Sequence, residues 1–206
     1  MPEPLLTTAY LVLRKTPVGE SGLVLAGLTP EHGQLHFLVK GARKLGRRQF
    51  PVADLFRVLQ VEYRDGERDL LTWRHAETRE DLGAVAQNLD AFRAAGRLAR
   101  FALANTHAGV AMPRFFRAMT AALRRLGAEG AAAIPAATSG VFLLFLEEQG
   151  WLPPAEEAAP ERAARREALL AMGEGLGPPP VLEPEAWQRT HDWAVRQLKR
   201  YDCDVP

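Results

Sequence analysis

The spacing of apolar residues changes near residue 80, and this change limits the folds open to the chain. Before that point, short segments alternate between apolar and polar residues, as strands with one buried face do. Beyond it, apolar residues recur at every third or fourth position, as on one face of a helix. The sequence therefore predicts an α+β protein with a β domain over residues 1–80 and an all-α helical domain over residues 81–206.

Five segments of the first domain carry the strand pattern, and turn residues separate them. The predicted strands are 8–15, 22–29, 34–41, 56–64 and 69–77. Between the second and third strands, Pro30 and Gly33 suit a turn, because proline fixes φ and glycine accepts a positive φ. Five short strands within residues 1–80 are most simply arranged as a closed barrel of the OB type. The N-terminal domain is therefore predicted to be a five-stranded OB-fold β-barrel.

Helical patterns fill most of the second domain. The predicted helices are 90–107, 112–127, 136–149, a helix within 153–175, and 184–200. In the second helix, Pro113 fits the first turn and Gly127 fits the C-terminal cap. The longest apolar run, residues 140–152, is interrupted by Glu147 and Glu148 and is too short to cross a bilayer. We expect no membrane association, and we expect these two glutamates to be solvated.

Positive charge is concentrated locally, although the formal net charge is only +1. Residues 38–48, "LVKGARKLGRR", hold five cations and no acid, directly after a predicted strand. Cations so close together repel one another, and a phosphate backbone would relieve that repulsion. In an OB barrel the neighbouring strand ends would join the same surface. The predicted nucleic-acid-binding residues are Arg14, Lys15, His36, Lys40, Arg43, Lys44, Arg47 and Arg48.

A second cationic region lies on the predicted helices. Seven arginines and no acidic residue lie between Asp90 and Glu129, whereas residues 147–185 hold nine glutamates and three arginines. Helical spacing puts Arg93, Arg97 and Arg100 on one face, and Arg114, Arg117 and Arg125 opposite the apolar side of the next helix. If these helices pack antiparallel, the two stripes border a groove that suits an acidic peptide with a bulky apolar end. The predicted packing residues are Phe92, Leu103, Phe115, Phe116, Met119 and Leu123. The alternative is a pair of solvated helix faces.

No pattern in the sequence indicates catalysis or a cofactor. The single cysteine, Cys203, excludes a site built from several cysteines, and of the five histidines only His32 and His36 are four residues apart, across a predicted turn, so we expect no metal site. Neither a phosphate-binding glycine loop nor a nucleophile elbow is present. We expect a protein that is not an enzyme, has no metal or cofactor, and works in a reducing, intracellular setting.

Residues 12–44 resemble the N-terminal region of the bacterial recombination mediator RecO. The shared elements are a strand ending in Leu-Arg-Lys, a Gly-Glu-Ser turn, Leu-Thr-Pro-x-His-Gly, and a strand ending in Lys-Gly-Ala-Arg-Lys. Residues 55–77 continue the likeness loosely, and "FLLFLEEQGWLP" resembles the helix before the zinc module of that family. Many members carry four cysteines after this helix, whereas residues 151–167 here contain none. The chain therefore resembles a divergent RecO without the zinc module.

The resemblance implies an OB barrel joined to a helical domain and a role in DNA repair and recombination. Proteins of this kind bind single- and double-stranded DNA, anneal complementary strands, and help to load RecA together with RecR. They also bind the acidic tail of the single-stranded DNA-binding protein, in the bacterial cytoplasm at the nucleoid. Two other functions fit the residues: an RNA- or ribosome-associated OB protein, and a protein-interaction scaffold with vestigial DNA binding.

Overall fold

A computed structural model describes residues 5–42, 53–64, 69–154 and 160–206. The chain forms two compact units. The barrel unit comprises Met1–Gly83 and Thr106–Pro113, and the helical unit comprises Ala84–Asn105 and Arg114–Pro206.

Five antiparallel strands form the barrel unit, in the sheet order β3-β2-β1-β4-β5. They are β1 (Leu5–Val18), β2 (Gly22–Thr29), β3 (Gly33–Val39), β4 (Arg57–Arg64) and β5 (Trp73–Asp81). All five strands predicted from the sequence are present, but β5 begins and ends four residues later than predicted. The reason is that Leu71 pairs with β3 before β5 starts to pair with β4.

A short parallel contact closes this sheet. Leu71 bridges Phe37 in parallel. The Leu38 amide donates to the Leu71 carbonyl at 2.8 Å, and the Leu71 amide donates to the His36 carbonyl at 2.9 Å. Since β3 and β5 are otherwise the two edges of the sheet, this contact joins them and makes a barrel. The predicted fold class, an OB-type barrel followed by helices, is confirmed.

Aromatic rings fill the barrel. Phe37 meets Tyr10 at a centroid distance of 5.0 Å and Tyr63 at 5.4 Å, both edge to face. The Tyr10 hydroxyl donates to the Leu35 carbonyl at 3.2 Å, and burial raises the pKa of Tyr10 well above its usual value. Along β3, Phe37 is fully buried whereas His36 remains half-exposed. The predicted alternation of this strand is therefore confirmed, and His36 lies on the outer face.

The segment Thr106–Pro113, called the strap here, pairs with the turn and strand around Gly33. The Gln34 amide donates to the His107 carbonyl at 3.2 Å, and the Gly109 amide donates to the His32 carbonyl at 2.9 Å. Gly33 has φ +65°, as the turn sequence predicted. A Cβ added there would lie 2.2 Å from the His107 oxygen, so glycine is required both by the backbone and by the strap.

Among the residues that the structure describes, five α-helices form most of the second half of the chain. They are α1 (Leu89–Asn105), α2 (Pro113–Glu129), α3 (Ile134–Glu148), α4 (Pro160–Gly173) and α5 (Pro184–Arg200). Phe101 of α1 contacts the rings of Phe115, Phe142 and Phe145, so an aromatic cluster joins α1, α2 and α3. Gly127 is not the C-terminal cap that the sequence predicted. It lies inside α2, where an added Cβ would approach the Cβ of Ala84 to 3.2 Å.

By length and composition alone, the helical stretch Pro113–Glu148 could cross a membrane. However, 61% of its most apolar window is buried inside the protein. The apolar residues of this stretch are those that pack in the helical core.

The expectation that Glu147 and Glu148 are solvated is wrong. The Glu148 carboxylate accepts hydrogen bonds from the backbone amides of Arg114 at 2.9 Å and Phe115 at 2.6 Å, at the start of α2. Glu147 pairs with Arg166 at 2.7 Å. The chain folds back so that the end of α3 reaches the start of α2, and the free amides of that helix end bind a carboxylate favourably.

Candidate nucleic-acid interface

Three adjacent strands place Arg14 and His36 in one row. Arg14 on β1 pairs with Ala26 on β2, and Ala26 pairs with His36 on β3. Directly opposed residues in an antiparallel sheet share a face, so a small residue separates the two basic ones. Burial lowers the pKa of His36, the Arg14 charge lowers it further, and the Asp69 charge raises it. His36 therefore has a pKa below its usual value and is mainly neutral at pH 7, so Arg14 supplies the charge of this row.

The closure between β3 and β5 extends the basic surface. Lys40, directly after β3, and Arg74 and His75 on β5 line one pocket of about 260 Å³. Lys40, Arg74 and His75 are all exposed. Sequence reasoning did not select Arg74 or His75, because nothing in a local pattern shows that β5 lies beside β3. The parallel pairing of Leu71 with Phe37 is the feature that brings them to Lys40.

Lys15 has a structural partner. Its ammonium group forms a salt bridge with Asp54, just before β4. Burial raises the pKa of Asp54, but hydrogen bonds from Lys15 and the Leu55 amide outweigh this effect, and the pKa lies below its usual value. Of the eight residues predicted for nucleic-acid binding, Arg14, His36 and Lys40 lie on the outer barrel surface and Lys15 pairs with an acid. The other four, Arg43, Lys44, Arg47 and Arg48, lie outside the described residues, and their role stays a prediction.

Aromatic side chains in the barrel are mostly internal. Tyr10, Phe37 and Tyr63 are buried, and Trp73 is half-buried at the pocket that Lys40 lines. Base stacking needs an accessible ring, so among these four only Trp73 could offer one. The described surface suits contacts with phosphates more than it suits reading of bases.

The family profile described as "Recombination protein O N terminal" matches residues 2–81. The barrel domain of this chain is a RecO N-terminal domain. The match covers the whole barrel from β1 to β5, and it confirms the resemblance seen in residues 12–44. No curated protein shows significant similarity to the chain.

In the helical unit, the six arginines predicted to form two cationic stripes are not all available to a partner. Glu174 accepts from Arg114 at 2.7 Å and from Arg117 at 2.6 Å. The side chain of Arg125 is only 14% exposed and approaches Glu129 at 4.0 Å. Three of the six arginines are therefore engaged within the helical unit.

The α1 arginines differ from those of α2. Arg93 makes an exposed contact with Asp90 at 3.6 Å, and Arg97 lines a pocket of about 400 Å³. Phe92, which was predicted to pack against α2, is 39% exposed, whereas Phe101 contacts the Phe115 ring of α2. Arg93, Arg97 and Arg100 remain candidates for partner binding on α1.

Within the described residues, no group of three or more histidine, cysteine or acidic side chains could hold a metal ion.

Proposed function

We propose that this chain is a DNA-binding protein of recombinational repair that anneals complementary strands and acts as a recombination mediator. The RecO N-terminal domain supports the repair family, and the basic outer face of the barrel supports DNA as the ligand. The observation that carries the proposal is that Lys40 and Arg74 line one pocket where β3 and β5 close the barrel. The phosphates of a DNA strand that crosses β1, β2 and β3 would contact Arg14 first and then Lys40 and Arg74.

The same proposal extends to partners and place of action. A RecO-type mediator works with RecR and with the single-stranded DNA-binding protein, whose acidic tail suits the α1 arginines. It acts by binding and positioning strands rather than by catalysis, in the bacterial cytoplasm at the nucleoid.

Anisotropy titration of fluorescent oligonucleotides tests DNA binding. Lys40→Glu combined with Arg74→Glu should weaken binding of single strands about tenfold or more, since each contact between a reversed charge and phosphate becomes repulsive. Arg79→Glu is the matched control, because Arg79 is an exposed cation on the same strand outside that pocket. Equal effects of the double variant and the control would count against the interface.

A strand-annealing assay with the same proteins tests the mediator role. The intact protein should accelerate annealing of complementary oligonucleotides, and the Lys40/Arg74 variant should not. A stronger preference for structured RNA than for single-stranded DNA would instead favour an RNA-associated protein. Failure to bind DNA at low salt would favour a scaffold role.

A further inference from the structure

The pocket that Arg97 lines lies within the helical unit, between α1, α3 and α5, and has a volume of about 400 Å³. This volume falls within the range of about 300–1,000 Å³ that natural ligand pockets occupy. The lining residues that bear aromatic rings or polar side chains are Arg97 of α1, Thr138 and Phe142 of α3, and Trp187, Gln188 and His191 of α5. We call this cavity the α1–α5 pocket.

Two half-buried rings of α5 form an aromatic wall of the pocket. Trp187 and His191 are four residues apart, so they lie on the same face of the helix. The His191 ring packs against the Phe142 ring at a centroid distance of 5.6 Å, with 30° between the two planes. Phe142 is buried, whereas Trp187 and His191 keep part of their surface exposed. Accessible aromatic rings are the groups on which nucleobases stack in proteins that bind single strands.

The polar groups beside these rings suit the edge of a base. Burial lowers the pKa of His191, and the Arg97 charge lowers it further, whereas the Asp192 charge raises it. The imidazole is therefore mainly neutral at pH 7 and offers one N–H donor and one nitrogen acceptor. Gln188 donates to Asp192 at 2.8 Å and still has a carbonyl oxygen and a second N–H. An aliphatic ligand would displace water from these groups without replacing its hydrogen bonds, whereas the donors and acceptors of a base would replace them.

Arg97 brings a positive charge to the pocket. Its side chain is exposed and forms no ion pair with another residue that the structure describes. The described lining of the pocket contains no acidic side chain. A guanidinium group binds phosphate well, because it can donate two parallel hydrogen bonds to phosphate oxygens.

One wall of the pocket is held in place by paired hydrogen bonds. Val205 lines the pocket, and the residue before it is Asp204. The side-chain amide of Asn105 donates to the Asp204 carbonyl at 2.8 Å, and the Asp204 backbone amide donates to the Asn105 side-chain oxygen at 2.9 Å. This pair ties the segment to the end of α1, so the wall does not have to be ordered by a ligand, which favours binding.

We infer that the α1–α5 pocket binds one nucleotide unit, which is an unpaired nucleobase together with its phosphate. The base would stack on Trp187 with its polar edge toward His191, and the phosphate would meet Arg97. A base inside a duplex is paired and stacked, so only an unpaired base can enter such a pocket. The unit can belong to a single strand or to a free nucleotide, since both present the same chemistry. The strand form rests on the proposed binding of DNA, and the free form does not.

The fluorescent base analogue 2-aminopurine distinguishes the two sources, because its emission depends on stacking. The full chain is titrated with the free deoxynucleoside monophosphate of this analogue, and separately with a short thymidine strand that carries the analogue at each position in turn. A saturable emission change with the free nucleotide, at a dissociation constant of about 1 mM or lower, would show a free nucleotide as ligand. A change with the strand alone would show a base of bound DNA as ligand. The paired duplex should give no change in either case.

Two substitutions in the pocket locate the response. Trp187→Leu should weaken it about tenfold, because the stacking contact is lost, while circular dichroism reports whether the fold is intact. Arg97→Glu should also weaken it about tenfold or more, and since Arg97 is exposed, this variant tests the site without disturbing the core. Arg196→Glu is the matched control and should change the response less than about threefold, because Arg196 is an exposed cation of α5 that does not line the pocket.

Three results would overturn the inference. The first is no emission change with either ligand, and the second is an equal change with the duplex. The third is a change that Arg97→Glu and Arg196→Glu affect alike. The two proposals fail separately, because Lys40→Glu combined with Arg74→Glu tests the barrel, whereas Arg97→Glu and Trp187→Leu test the pocket.

Discussion

The carboxylate of Glu174 accepts a hydrogen bond from the guanidinium group of Arg114 at 2.7 Å. Its second oxygen accepts from Arg117 at 2.6 Å, and the glutamate side chain is only 8% exposed. One carboxylate just after α4 thus pairs with two arginines of α2 and joins the two helices.

Glu174→Gln should therefore lower the free energy of unfolding by about 1–2 kcal/mol, because a charged acceptor is lost beside two arginines that are themselves partly exposed. Glu167→Gln, an exposed glutamate of α4, is the control and should change it by less than about 0.5 kcal/mol. Urea unfolding followed by circular dichroism measures both. Similar losses in the two variants would show that the Glu174 contacts add no stability.

The contacts of Glu174 with Arg114 and Arg117 also predict that the stability of the fold depends on pH. Burial raises the pKa of Glu174, but the hydrogen bonds and charges of Arg117 and Arg114 outweigh it and leave the pKa below its usual value. A carboxyl group with a lower pKa in the folded state stabilises the fold above its unfolded-state pKa, and this contribution is lost as the pH falls through the folded-state pKa. The stability difference between the wild-type protein and Glu174→Gln should thus be constant near neutrality and should shrink below about pH 4. A difference that grows in acid would contradict this assignment.

Gly33→Ala should destabilise the barrel unit by about 2 kcal/mol or more, because it combines a strained φ with a clash against the His107 carbonyl. Gly19 offers a matched control, since it also has a positive φ, +55°, but has no atom within 4 Å of an added Cβ. Gly19→Ala should cost only about 1 kcal/mol. Thermal and urea unfolding of the two variants would measure the difference. Equal losses of stability would mean that the strap moves away from the added methyl group without lowering the free energy of unfolding.

The cationic segment gives a prediction about salt. If Lys40, Arg43, Lys44, Arg47 and Arg48 all contact phosphates, the logarithm of affinity for single strands should fall with the logarithm of salt concentration at a slope of about −3.5. Arg43→Glu combined with Lys44→Glu should weaken binding to all sequences alike and flatten this slope, because the contacts are to the backbone. Anisotropy titrations at several salt concentrations test both statements. An unchanged affinity in the double variant would refute the assignment.

The cysteine count gives a prediction about metal. Cys203 is the single cysteine, and the one pair of histidines four residues apart, His32 and His36, spans a turn and the start of a strand, so the chain lacks the usual ligand pattern of a structural zinc site. Elemental analysis of the purified protein should find no stoichiometric zinc, and a chelator should leave the melting temperature unchanged. One zinc per chain would overturn this prediction.

The positions of strands and helices were predictable because they depend on neighbours in the sequence. The alternation in residues 22–29 gave the bounds of β2, and the 3-4 spacing in residues 184–200 gave those of α5. The turn at Gly33 followed from its residue types alone. The basic outer surface was found in part, since His36 lies on β3 and Lys40 follows that strand directly.

Only the tertiary structure decided which distant residues meet. The parallel contact between Phe37 and Leu71 places Arg74 beside Lys40, and the return of the strap makes Gly33 indispensable. Glu174, 60 residues after Arg114, pairs with two arginines that sequence spacing had predicted to be available to a partner. Helical and strand periods define the face on which a side chain lies, but whether its charge stays free depends on the element that packs against it. Closure of the barrel and packing of the helices determine which charges stay free, and no local pattern in the sequence predicts either of them.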